Sequence, residues 1–186
     1  MQAHLDHLVA SVDHIKKVVA TQQAYAGSSL LTEQVAPGEL VEDALRIANA
    51  SSPGGSIDVV RDIANTPPVQ LDKTRALQIL VNLVDNARQA MAAPRIAKRK
   101  LTVRVDAENS RLRFRVTDSG CGIESADLAR IFSHGFTTRA GGHGFGLHSC
   151  ALAAREMGGN LTAHSDGPET GATFTLDLPF VPAVRP

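Results

Sequence analysis

The sequence predicts an α/β protein: a two-layer sandwich with a mixed β-sheet and its helices on one face, preceded by a long N-terminal helix. Three observations predict it. Apolar residues recur at helical spacing over 40–48, 73–92 and 145–157, and alternate with polar ones over 101–107 and 111–117. Glycine, proline and Asn-Ser punctuation separates these stretches at short intervals. Their order is helix, strand, strand, helix, then hairpin, loop, helix, hairpin, which suits helices layered on one side of a mixed sheet.

A chain of 186 residues with 43% hydrophobic content is long enough for one sizeable core, or one core plus a helical appendage. Nineteen Lys and Arg balance nineteen Asp and Glu. Bulk charge therefore favours neither nucleic acid nor an anionic membrane surface. The basic run at 98–100 reads as a solvated entry to a strand. Cys121 and Cys150 are too few for a disulfide framework and lack metal-ligand spacing, which fits a reducing cytosol. No apolar run approaches the ~20 residues of a membrane span, and no signal-peptide pattern opens the chain. The expectation is a cytoplasmic chain, or the cytosolic portion of an anchored protein.

Taken in order, Leu5, Leu8, Val12, Ile15, Val19 and Ala26 step by three and four, interrupted by Gln22. That heptad stripe predicts a helix over 1–29 that packs on another helix: an upstream segment, a second subunit, or its own domain. A second helix follows Pro37, with Leu40, Val41, Ala44, Leu45, Ile47 and Ala48 on its apolar face, and ends at Ser51-Ser52-Pro53-Gly54-Gly55. Residues 57–63 and 69–71 read as strands around Thr66-Pro67-Pro68. Asp72 is a good N-cap for the long helix over 73–92. A hairpin turns at Asn109-Ser110, a loop-rich stretch runs from 118 to 144, and a helix over 145–157 ends at Gly158-Gly159. Residues 160–165 and 173–178 close the fold as a second hairpin. The main folded domain is expected over 30–180, with a frayed tail at 181–186.

Four short blocks carry the chemistry. On the long helix, Leu77, Leu80, Leu83, Val84, Ala87, Ala90 and Met91 supply a core face. Gln78, Asn82, Asn86 and Gln89 form a polar stripe beside it. Asparagine is a mediocre helix former, so this pair either satisfies local polar groups or offers oxygens to a hard cation such as Mg²⁺. Asp118 ends an alternating strand ahead of Ser119-Gly120-Cys121-Gly122. It is either an ordinary Asp-Ser-Gly turn or a carboxylate that accepts from an exocyclic amine such as adenine's. The glycine cluster at 141–147 (GGHGFGL) opens onto a helix, where backbone N–H groups favour phosphate. It is neither a P-loop nor a dinucleotide fingerprint, because no Gly-Lys-Ser/Thr follows and no strand immediately precedes it. The fourth block is a glycine turn into a strand, GATF at 171–174.

The order of these blocks resembles the catalytic, ATP-binding domain of sensor histidine kinases in the GHKL ATPase superfamily, whose ATP site is built on the Bergerat-type fold. NLVDNA at 82–87 resembles the N box and DSGCGI at 118–123 the G1 box. Ile131-Phe132 with Phe136-Thr137-Thr138-Arg139 resembles the F box, GGHGFGL the G2 box, and GATF the last glycine box. The likeness covers roughly 37–179, and its FTTR version is similar to the nitrogen-regulation-type branch.

The resemblance implies ATP and Mg²⁺ as ligands. Asn86 would coordinate Mg²⁺ with Asn82 in support, and Asp118 would bind the adenine amine. Gly120, Gly122 and Ile123 would line the base, and Gly142, Gly144, Phe145, Gly146 and Leu147 would surround the phosphates. Thr173 takes a place where the family carries a hydroxyl near the adenine-binding water, and Arg139 would stabilise phosphate charge as a catalytic residue. Many relatives carry a basic residue three positions after the second asparagine, where this chain has Gln89 with Arg88 beside it. His4, His7 and His14 are followed by Leu, Leu and Ile rather than by the Glu or Asp of a phosphate-accepting H box, so no acceptor is evident. His134, His143 and His148 fall in or beside the lid region and read as plain lid residues, with a solvent-exposed or phosphate-proximal role open for His143. The implied activity is transfer of the γ-phosphate to a histidine on a segment absent from this chain or delivered in trans. A response regulator is the implied downstream partner, the full-length form a homodimer. Two alternatives remain: a GHKL-type ATPase, for which the helix offers Asp85 but no glutamate base, and a non-catalytic dimeric adaptor.

Overall fold

The structure, a computed structural model, describes residues 32–51, 57–92, 96, 98–138 and 144–180. The helix expected over 1–29 and the tail at 181–186 lie outside these residues, as do Arg139, Gly142 and His143.

The chain runs β1 (Glu33–Val35), α1 (Pro37–Ser51), β2 (Asp58–Ile63), β3 (Val69–Leu71), α2 (Lys73–Ala90), β4 (Lys100–Glu108) and β5 (Arg111–Asp118). It continues through α3 (Ser125–Leu128), α4 (Gly146–Glu156), β6 (Asn160–His164) and β7 (Ala172–Pro179). Five strands form one sheet in the order β2-β4-β5-β7-β6. β2 pairs with β4 in parallel and every other pairing is antiparallel, so the sheet is mixed as expected. The parallel pair is allowed because β3 and α2 intervene and provide a long crossover. Asn109 and Ser110 both adopt positive φ, +52° and +59°, the geometry of the tightest hairpin turns.

Two elements depart from the expected order. β3 does not join the main sheet but pairs with β1 in a separate two-stranded sheet, with Glu33 opposite Leu71. β1 carries one buried side chain, Val35, so it has no alternation to announce it. The loop after β5 also contains the four-residue helix α3, too short to show a period.

The central strands β4, β5 and β7 alternate. Leu101, Val103 and Val105 of β4, Leu112, Phe114 and Val116 of β5, and Phe174, Leu176 and Leu178 of β7 are buried and share one face of the sheet. Leu40, Val41, Ala44, Leu45 and Ala48 of α1 join the same core, as do Ala76, Ile79, Leu80, Leu83, Val84 and Ala87 of α2 and Cys150, Ala151 and Ala154 of α4. Ile47, expected on the apolar face of α1, is instead 40% exposed, and the core band of α2 turns through Ala76 and Ile79 rather than Leu77. The opposite face of the sheet is polar. Arg115 and Arg113 there pair with Asp106, and Arg111 pairs with Asp177 at 2.9 Å.

α2 begins at Asp72, whose side chain accepts from the Arg75 N–H at 3.0 Å, so the expected N-cap is present. Arg75 also reaches Glu156 at 3.1 Å and ties the start of α2 to the end of α4.

Candidate nucleotide site

Strand parity delivers the first functional group. Residues 112, 114 and 116 point into the core, so residue 118, the next of that parity, must do so too. Asp118 is 4% exposed, the one buried charged residue among those described. Burying a carboxylate is costly unless polar partners meet it. One of its oxygens accepts the Gly120 N–H at 2.7 Å.

The glycines after Asp118 are required by close backbone approach. A Cβ at Gly120 would lie 2.7 Å from the Ala90 carbonyl carbon at the end of α2. The next residue's N–H, on Cys121, donates to the Ala90 carbonyl at 3.1 Å. Gly122 has φ +68°, and a Cβ there would stand 2.0 Å from the Gly167 carbonyl oxygen. Gly171 has φ +76°, and its Cβ would collide with the Asp118 carbonyl oxygen at 2.0 Å. The turn after β5 is therefore wedged between the end of α2 and the β6–β7 loop, with the carboxylate at its root.

Ser165, which belongs to none of the four blocks, locks this arrangement. Its hydroxyl oxygen accepts from the Ile123 N–H at 3.0 Å and the Gly167 N–H at 3.3 Å, and its O–H donates to the Gly171 carbonyl at 2.7 Å. Glu169 N–H donates to the Cys121 carbonyl at 2.7 Å. Ile123 is half-buried against the core. A lone serine in a loop carries no periodic signal, and only the proximity of the two glycine turns in space reveals its role.

The asparagine pair forms the second wall. Asn86 Nδ2 donates to Asn82 Oδ1 at 2.9 Å, which turns the Asn86 carbonyl oxygen away from Asn82. Both are half-buried, whereas Gln78 and Gln89, at the ends of the same stripe, are exposed. Arg88 donates to Asn49 of α1.

The start of α4 closes on the pair. A Cβ at Gly146 would lie 2.8 Å from Asn82 Nδ2, so this backbone rests directly on the asparagine amide. Phe145 occupies the N-cap position and makes no side-chain capping bond. Phe145 thus supplies no side-chain acceptor to the first-turn N–H groups, as a Ser or Asp cap would. Leu147 is partly buried against the core one residue further on.

The structure therefore brings Asn82, Asn86 and Gly146 together in one wall, and Asp118, Gly120, Gly122 and Ile123 in the other. Thr173 lies one position past the residue that faces Asp118. It pairs with Thr117, and its hydroxyl lies 2.9 Å from the Thr117 hydroxyl on the outer face of the sheet. Ala172, not Thr173, stands opposite Asp118 on the core face. Arg139 and Gly142 lie outside the described residues.

Among the described residues, no group of three His, Cys, Asp or Glu could hold a metal by itself. The available donor is an amide oxygen. That fits Mg²⁺, a hard cation that takes one or two protein oxygens and completes its octahedron with phosphate and water.

Burial also separates the two cysteines. Cys150 is packed inside α4, and desolvation pushes its thiol up from 9.0 to about 12.

Comparison with known proteins places the chain among related sequences and folds. The chain is 29% identical over 184 residues to the signal transduction histidine-protein kinase AtoS of Escherichia coli, covering 97% of this chain and 29% of that protein. It is 32% identical over 185 residues to the E. coli sensor protein TorS, covering 97% of this chain and 20% of TorS. The chain thus spans less than a third of the length of these relatives. Among solved structures, the catalytic domain of the histidine kinase ThkA, in a nucleotide-free form, superposes with a TM-score of 0.70 at 26% identity, covering 81% of this chain and 97% of that one. Full-length ShkA in complex with AMPPNP shares the fold, with a TM-score of 0.81 at 24% identity over 99% of this chain and 40% of ShkA. Residues 71–182 match the family described as histidine kinase-, DNA gyrase B-, and HSP90-like ATPase, and the chain belongs to that family.

Proposed function

We propose that the chain is the ATP-binding catalytic domain of a two-component sensor histidine kinase of the nitrogen-regulation type. It transfers the γ-phosphate of Mg·ATP to a histidine not evident in this chain, for relay to a response regulator. The observation that carries this reading is the meeting of Asn82, Asn86 and the first turn of α4, with the buried Asp118 carboxylate at the root of the adjoining glycine turn.

The assigned roles follow from donor and acceptor chemistry. Asp118 accepts from the adenine amine, while the glycine backbones at 120 and 122 leave room for the ring. The N–H groups opening α4 face the phosphates. Asn86 would offer its oxygen to Mg²⁺, which would neutralise phosphate charge, and Asn82 holds the Asn86 amide in orientation. Transfer is in line. The unprotonated nitrogen of the acceptor imidazole forms the N–P bond as the β–γ bridging O–P bond breaks and ADP departs, and the proton on the other ring nitrogen passes to solvent. Neutral imidazole is already nucleophilic, so the domain's task is to position the triphosphate.

An ATPase reading would require a base for water. α2 offers Asp85 as its only acid, one residue before Asn86. The test is to incubate the chain with γ-labelled Mg·ATP. The expected result is saturable binding without stable label on the chain. Absence of Mg·ATP binding would overturn the reading, and so would stoichiometric label that survives base and is lost in acid.

A further inference from the structure

His134 and His148 belong neither to the turn after Asp118 nor to the asparagine wall, yet they meet beside the start of α4. Gly144 has φ +68°, and a Cβ there would stand 2.3 Å from the Gly135 carbonyl carbon. The backbones of Gly135 and Gly144 therefore touch with no room for a side chain between them. Beside that contact the His134 ring stands edge-on to Phe145, with centroids 4.9 Å apart, and to His148, with centroids 5.2 Å apart. His148 Nδ1 lies 2.9 Å from the Phe132 carbonyl oxygen. A carbonyl only accepts, so Nδ1 carries the proton and donates. Arg130 in turn lies over the Phe136 ring, 4.8 Å from its centroid. These contacts join residues 130–136 to the first turn of α4, the same turn whose Gly146 rests on Asn82.

We propose that His148 is a positioning residue for the triphosphate. Its Nδ1–H bond to Phe132 and its edge contact with His134 hold the Phe132–Phe136 segment against the start of α4. The backbone N–H groups of that turn are then in place before phosphate arrives. The inference rests on the nucleotide reading above and adds to it two residues outside both walls of the site. Histidine suits the position because one side chain supplies both a donor and a ring edge. The two can be separated by substitution: Asn places Nδ2 where His148 has Nδ1, while Phe keeps a ring and drops the donor.

The experiment compares the wild-type chain with H148N, H148F and H148A. Binding of Mg·ATP is followed by calorimetry and binding of adenosine, which has no phosphate, by NMR titration. H148A and H148F are expected to weaken Mg·ATP about fivefold, the value of one intramolecular hydrogen bond. H148N is expected to recover to within about twofold, and all four proteins to bind adenosine alike, as loss of one positioning bond should not reach the base. Wild-type affinity for Mg·ATP in H148A overturns the proposal. Equal losses for adenosine and Mg·ATP also overturn it, because they would assign His148 a general packing role. A wild-type chain that binds no Mg·ATP removes the nucleotide reading itself.

Discussion

Replacing Asp118 by Asn is the sharpest perturbation of the base site, because it changes donors and acceptors while nearly conserving shape. In the native protein one carboxylate oxygen takes the Gly120 N–H at 2.7 Å, in a site where the side chain is 4% exposed. On the nucleotide reading proposed above, the carboxylate also accepts from the exocyclic amine of the base. An amide presents one oxygen and one NH₂ to the same two donors, so in either orientation a donor faces a donor. Losing a hydrogen bond to a charged acceptor costs about 1.5–3 kcal/mol, which is roughly 10- to 150-fold in affinity. Calorimetry with Mg·ATP measures that loss. A parallel titration with inosine triphosphate, which carries a carbonyl in place of the amine, separates recognition from folding. Wild type should prefer ATP over the inosine analogue, and D118N should lose most of that preference. Unchanged ATP affinity would refute the reasoning. Equal weakening of both nucleotides would refute it too, because the loss would then come from the Gly120 turn rather than from the base.

Two further outcomes test the placement of individual residues. T173V removes a hydroxyl that lies 2.9 Å from Thr117 on the outer face, so Mg·ATP affinity should stay within about twofold of wild type. A loss beyond fivefold in calorimetry would return Thr173 to the site. For Cys150 the sign follows from linkage: burial raises the folded thiol from 9.0 to about 12, so its contribution is complete below pH 9 and is lost as pH rises toward 12. Between pH 8 and 10.5 wild type should lose about 2 kcal/mol more stability than C150A, at ~1.4 kcal/mol per pH unit above 9. Urea denaturation at the two pH values measures this, and equal losses in both proteins would disprove it.

The main sheet and its helices were legible because each announces itself by period. β4, β5 and β7 alternate over eight or nine residues, and α2 holds its apolar face through eighteen. What escaped was short or non-local. β1 is three residues long with one buried side chain, and it exists as a strand through its pairing with β3. The Ser165 hub depends on two loops that lie more than forty residues apart in sequence, with Ile123 on one and Ser165 on the other. The His134–His148 contact likewise joins residues that share no periodic pattern.

Thr173 shows how a motif and a parity rule divide the labour of assigning a site. The motif placed a hydroxyl-bearing residue after Gly171 beside the base, and chemistry alone would accept Thr173 there. β5 had already set the parity: its buried row ends at Asp118, and the residue opposite Asp118 in the antiparallel register must share that face. That residue is Ala172, since Gly171 turns sharply at φ +76° against the Asp118 carbonyl and starts β7 one position later. A one-residue offset in a strand moves a side chain across the whole thickness of the sheet. The glycine turn therefore does more than leave space for Asp118. It sets which side chain of β7 can stand beside the carboxylate, and here that side chain is a methyl group with no hydrogen bond to offer.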